Sequence, residues 1–156
     1  MKSRGFTLIE LLVTLAIISV LATVTLPLAE TTWQRTKEQE LRRALREIRD
    51  AIDAYKQASD EGRIAKNALD SGYPKDLKLL FEGVEDAKSP EKKKIYFIRR
   101  IPRDPMHVDP NASAEETWGL RCYDSPPDDP RDGDDIFDVY SLSDRRGLNG
   151  VAYREW

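Results

Sequence analysis

Gly5-Phe6-Thr7-Leu8-Ile9-Glu10-Leu11-Leu12-Val13 heads a run, residues 6–29, in which every side chain except Glu10 is apolar or hydroxylated. A helix rises about 1.5 Å per residue, so the run reaches about 36 Å, enough to cross a hydrocarbon core about 30 Å thick. A carboxylate inside such a span costs at least ~2.5 kcal/mol and needs a partner. The nearest opposite charges in the sequence are Lys2 and Arg4, just ahead of the run. Three readings of the run compete. A cleaved secretory signal suits the basic start, but the apolar stretch is too long and Glu10 interrupts it. A buried core helix would need a larger domain around it than the remaining chain supplies. A single membrane-spanning helix fits best, with its N-terminus cytoplasmic. Arg35, Lys37, Arg42 and Arg43 on the far side do not weigh against this, because long domains translocate largely regardless of such charges.

Beyond the run the pattern becomes amphipathic. Leu41, Leu45, Ile48, Ile52 and Tyr55 recur at alternating spacings of four and three, with Arg42, Arg43, Arg46, Glu47, Arg49, Asp50 and Asp53 between them. That is one apolar stripe on a charged helix, and no glycine or proline interrupts residues 28–61. The sequence therefore predicts continuous helix over about 6–58, bent or loosened near Pro27, with Trp33 at the interface and Gly62 as the stop. The stripe needs a cover, and two heptads are too few for a coiled coil. A short second helix is expected over 76–81, closed by Gly83, then a charged loop over 85–94 and a short apolar run, Ile95-Tyr96-Phe97-Ile98. The two prolines of Ile101-Pro102-Arg103-Asp104-Pro105-Met106 make that segment a turn or an edge. Residues 118–123 and 136–142 read as strands joined by an acid- and proline-rich connection. The expected fold is α+β, a long N-terminal helix packed against a small C-terminal antiparallel sheet.

Little here suggests catalysis. The charged fraction is 34% but the net charge is only −3, so there is no basic nucleic-acid footprint. A single cysteine, Cys122, excludes an internal disulfide and any zinc site built on two or more cysteines. Cys122 reads as a small packed residue, and the lone His107 offers no triad to assemble. The acidic connection fails as a calcium loop: counting from Asp128 puts Pro130 at position 3 and Val139 at position 12. Ser141-Leu142-Ser143-Asp144-Arg145-Arg146-Gly147-Leu148-Asn149-Gly150 does offer hydroxyl, carboxylate and amide oxygens suited to a hard cation. It reads equally as two ordinary turns whose arginines disfavour a dication.

The string Gly5-Phe6-Thr7-Leu8-Ile9-Glu10 behind a short basic leader resembles the class III signal of type IV pilins and type II secretion pseudopilins. That resemblance implies cleavage by a prepilin peptidase after Gly5, N-methylation of Phe6, and pairing of Glu10 with the N-terminal ammonium of a neighbouring subunit. Losing Lys2 and Arg4 from 25 basic side chains, against 28 acidic ones, would take the formal charge from −3 to −5. Pro27 matches the place where helices of the family bend or melt during assembly. Ile101-Pro102-Arg103-Asp104-Pro105, Trp118-Gly119 and Phe137-Asp138-Val139-Tyr140-Ser141-Leu142 resemble the head of the major, G-type pseudopilin. Such heads bind calcium after the last strand, which implies the Leu142 carbonyl and Asp144 here, with Ser143 or Asn149. This loop is shorter than the family's, lacks its second acid, and the family turn runs straight into the next strand where residues 106–117 intervene.

The resemblance implies a leader at 1–5, a transmembrane and assembly helix at 6–29, its amphipathic continuation at 30–60 and a periplasmic head at 61–156. The implied role is a non-enzymatic, homo-oligomeric filament subunit of the inner membrane and periplasm. Its partners would be the prepilin peptidase, minor pseudopilins and an assembly platform, with no nucleic acid. A minor pseudopilin, a type IV pilin serving motility, adhesion or DNA uptake, and a single-span anchor carrying a binding module or enzyme are the rival readings.

Overall fold

The structure, a computed structural model, describes residues 7–67 and 70–156, and the side chains of 23–29 fall outside that description. Helix α1 spans Leu8–Asp60, 53 residues, and the helix assignment continues through position 27. Contacts divide the chain into two units, Met1–Thr36 and Lys37–Trp156. The first contains the α1 residues up to Thr36. From Leu8 to Leu21 its large aliphatic side chains are each at least 52% exposed. Among the described residues no helix is long and apolar enough to cross a membrane; the run's side chains are described only as far as Ala22.

The second unit is built on the remaining turns of α1. Leu41, Leu45, Ile48, Ile52 and Tyr55, the stripe read from periodicity, are all buried, joined by Ala44, Ala51 and Ala58 where larger side chains would hold the head away. They share one core with Leu77, Leu80, Ile98, Ile101, Met106, Trp118, Ile136, Val139 and Tyr153. The helix ends as Gly62 predicts. Gly62 sits at φ +73°, its N–H bonds to the Ser59 carbonyl and the Arg63 N–H to the Ala58 carbonyl, both at 2.9 Å. This is the reversed two-bond closure that favours glycine at the left-handed position.

Three expectations need correction. The second helix, α2, is Lys78–Glu82 rather than 76–81, because the Asp76 carboxylate accepts the Lys78 N–H at 2.9 Å and forms a turn ahead of it. The charged stretch 85–94 is the tip of a hairpin: β1, Val84–Glu85, pairs antiparallel with β2, Lys94–Ile95. And the single sheet is in fact two two-stranded sheets. The second pairs β3, Trp118–Arg121, with β4, Asp138–Ser141, shorter than the predicted 118–123 and 136–142. Gly119 faces Tyr140 across this ladder, and a Cβ there would stand 2.3 Å from the ring, so any side chain at 119 would have to displace it.

Arg49 fastens α1 to this second sheet. Its guanidinium donates to the Asp138 carboxylate at 2.7 Å, the Trp156 main-chain oxygen at 3.0 Å and the Val139 carbonyl at 3.2 Å. Elsewhere on the head several carboxylates are held below their ordinary range. Asp86 is lowered by Arg63, Asp60 by Lys56, Asp70 by the Asn67 N–H and Glu116 by the Ser113 N–H. A depressed carboxylate stabilises the folded state above its unfolded pKa and loses that contribution as pH falls through the folded value. Thermal melts should therefore show the head losing stability below about pH 4. Asp86→Asn should flatten that acid-side slope.

Candidate assembly helix and C-terminal loop

Thr7 lies one residue ahead of α1, and its side chain and main chain both engage Glu10. The Thr7 N–H donates to Glu10 Oε2 at 2.9 Å, the Thr7 hydroxyl to the same oxygen at 2.8 Å, and the Glu10 N–H back to Thr7 Oγ1 at 3.3 Å. This reciprocal pattern is a capping box, which satisfies helix N–H groups that have no carbonyl a turn earlier. A carboxylate in the first turn also lies at the positive end of the helix dipole. Glu10 thus has a local partner besides any on another chain, and the spacing Thr7-x-x-Glu10 carries that signal in the sequence. Both bonds fall on Oε2; among the described residues Oε1 accepts none. Lys2, Arg4, Gly5 and Phe6, including the expected cleavage and methylation positions, lie outside the described residues.

The other polar side chains of this stretch are satisfied within the helix. Thr14 Oγ1 donates to the Leu11 carbonyl at 2.9 Å and Ser19 Oγ to the Leu15 carbonyl at 2.8 Å. A hydroxyl bonded to its own preceding turn presents little polarity outward. What remains over 8–22 is an aliphatic surface with one charged group, Glu10, near its start.

In the head, the motifs that carry the resemblance meet in space. Asp104 is 1% exposed; its carboxylate accepts the Ser141 hydroxyl at 2.6 Å and the Met106 N–H at 2.7 Å. The Asp104 N–H donates to Thr117 Oγ1 at 3.1 Å, and the Trp118 indole N–H to the Pro102 carbonyl at 2.8 Å. Residues 106–117 loop out between these anchors, with the Arg103 guanidinium donating to the carbonyls of Asp109 and Ala112. Cys122 is half-buried against Gly133, and His107 donates its main-chain N–H to the Asp104 carbonyl. Neither stands in a nucleophile–base arrangement among the described residues.

Of the four residues expected to hold calcium, two engage their own main chain and two line one cavity. Asn149 Oδ1 accepts the Val151 N–H at 3.1 Å and Ser143 Oγ the Arg145 N–H at 3.4 Å, each turned to its own main chain. Leu142 and Asp144 line a small cavity together with Arg154. Among the described residues no group of three or more histidine, cysteine, aspartate or glutamate side chains is placed to hold a metal. Sequence reasoning missed Glu38, which the fold brings to this loop. It is 7% exposed and accepts the Leu148 N–H at 2.8 Å and the Tyr153 hydroxyl at 3.0 Å.

Compared with known families, residues 1–26 match the model of the prokaryotic N-terminal methylation motif. No curated protein and no solved structure matches the chain.

Proposed function

We propose that a methylation motif at the head of an exposed aliphatic helix makes this chain a structural subunit of a type II secretion pseudopilus. The observation that carries the reading is the coincidence of the two: the motif covers residues 1–26, and the large aliphatic side chains from Leu8 to Leu21 are each more than half exposed. Burying a Leu, Ile or Val side chain is worth roughly 1.5–3 kcal/mol, so ten left more than half exposed forgo on the order of 10 kcal/mol. A helix of this kind needs a bilayer before assembly and other helices after it.

On this reading the precursor sits in the inner membrane with residues 1–5 cytoplasmic and its head periplasmic. The prepilin peptidase cleaves after Gly5 and methylates Phe6, and platform proteins and minor pseudopilins then guide the mature subunit into a homo-oligomeric helical filament that helps export folded proteins. Cleavage places the new ammonium one residue before Thr7. Glu10 Oε2 stays with the cap, leaving Oε1 to meet the ammonium of an adjoining copy. The subunit carries no catalytic role.

Co-expression with a prepilin peptidase tests the first step. Intact mass should fall by residues 1–5 and rise by one methyl group on Phe6, and Gly5→Val should leave the unprocessed precursor. A wild-type chain that retains its leader would support the anchored-module reading instead. Filaments reaching far beyond the cell surface, rather than confined to the periplasm, would make the chain a type IV pilin.

A further inference from the structure

We propose that the C-terminal loop, residues 142–150, is a metal-independent latch in which Glu38 and Arg146 supply from within the chain the two charges that close it. The loop leaves main-chain groups of both kinds to satisfy. On the donor side, the Leu148 N–H points at the buried Glu38 carboxylate, 2.8 Å away, and the Tyr153 hydroxyl, on a side chain with no exposure, shares the same oxygen at 3.0 Å. On the acceptor side, the Gly150 carbonyl takes a bond from Arg146 Nη1 at 3.0 Å. The Gly147 N–H bonds to the Val151 carbonyl at 2.8 Å, the Tyr153 N–H to the Arg145 carbonyl at 3.1 Å, and Arg146 bridges Ala152.

A calcium ion takes six to eight oxygens at about 2.3–2.6 Å, mostly carboxylate and carbonyl. Here the loop's own acid is Asp144 alone, the Asn149 and Ser143 oxygens are turned to main-chain N–H groups, and Arg154 shares Asp144's cavity. The Arg146 guanidinium is bonded to the Gly150 carbonyl, and Arg154 lines the cavity beside Asp144, where a cation would meet a like charge. The anion that closes the loop comes from α1 instead, more than a hundred residues earlier, and it binds main-chain N–H rather than metal. The inference does not depend on which filament the chain builds.

Limited trypsin digestion of the full chain in detergent micelles tests it. Arg145 and Arg146 are exposed within the loop, and Lys92 and Lys93, exposed in the β1–β2 hairpin tip, serve as internal reference sites. Cleavage of a closed loop follows the population of its open form. In wild type the ratio of loop to hairpin cleavage should be low and the same in millimolar calcium as in EGTA. Glu38→Ala should raise that ratio by about tenfold, consistent with loss of charge-assisted bonds. Tyr153→Phe and Glu38→Gln, which keep the fold more securely, should raise it by smaller factors. Calcium lowering the wild-type ratio severalfold would overturn the proposal. So would a ratio unchanged in all three variants.

Discussion

Replacing Glu10 by glutamine should stop filament assembly nearly as completely as replacing it by alanine, with membrane insertion intact in both. The capping box makes this a sharp test, because it gives Glu10 two separable duties. As a cap it binds the Thr7 N–H and hydroxyl, a contribution of about 1 kcal/mol that glutamine retains in large part. As an assembly residue it would pair its charge with the ammonium of a second copy inside an apolar bundle, and breaking a buried pair by removing one partner costs about 3–5 kcal/mol. That is a factor of roughly a hundred or more at each subunit contact. Thr7→Ala gives the complementary result. It removes the hydroxyl half of the cap and leaves the carboxylate, so filament yield should fall by less than in either Glu10 variant. Yield in the sheared or periplasmic filament fraction, normalised to subunit in the membrane fraction, reads all three. Normal filaments from Glu10→Gln would mean that the residue serves only its own helix.

The long helix was legible because its two signals are strong and local: an aliphatic run, then a stripe at spacings of three and four that the structure buries without exception from Leu41 to Tyr55. Gly62 was legible for the same reason. The β1–β2 hairpin was not, because each strand is two residues long and the segment between is mostly charged. Strand alternation needs several residues to register. Thr7 was within reach of sequence reasoning, since a threonine three residues before a glutamate at the head of an apolar run is a recognised start signal. Glu38 was out of reach. In a helix dense with arginine and glutamate it reads as one more solvated side chain, and only the placement of Leu148 and Tyr153 reveals a buried acceptor.

The head's largest single-residue loss outside its aliphatic core should come from Asp104→Ala. Asp104 joins two segments that are far apart in sequence, the proline turn at 101–105 and the last strand, β4. Its carboxylate takes the Ser141 hydroxyl and the Met106 N–H where both are shielded from water. Alanine leaves two buried donors without an acceptor, each costing about 1–3 kcal/mol, so a loss of about 3 kcal/mol is expected. For a head of this size that lowers the melting midpoint by about 10 °C. Asparagine retains one acceptor and can donate to Ser141 Oγ, so Asp104→Asn should cost about 1 kcal/mol. Ser141→Ala removes one bond and leaves the carboxylate with the other, and should fall between the two. Because Asp104 and Ser141 touch, the double variant should be less destabilised than the two single losses added, by about 1 kcal/mol or more. Tryptophan fluorescence reads the transition directly, since Trp118, 3% exposed, is tied to the same turn through the Pro102 carbonyl. An Asp104→Ala midpoint within a degree or two of wild type would show that the carboxylate merely occupies the turn, and that packing of Ile101, Met106 and Trp118 holds it closed without help.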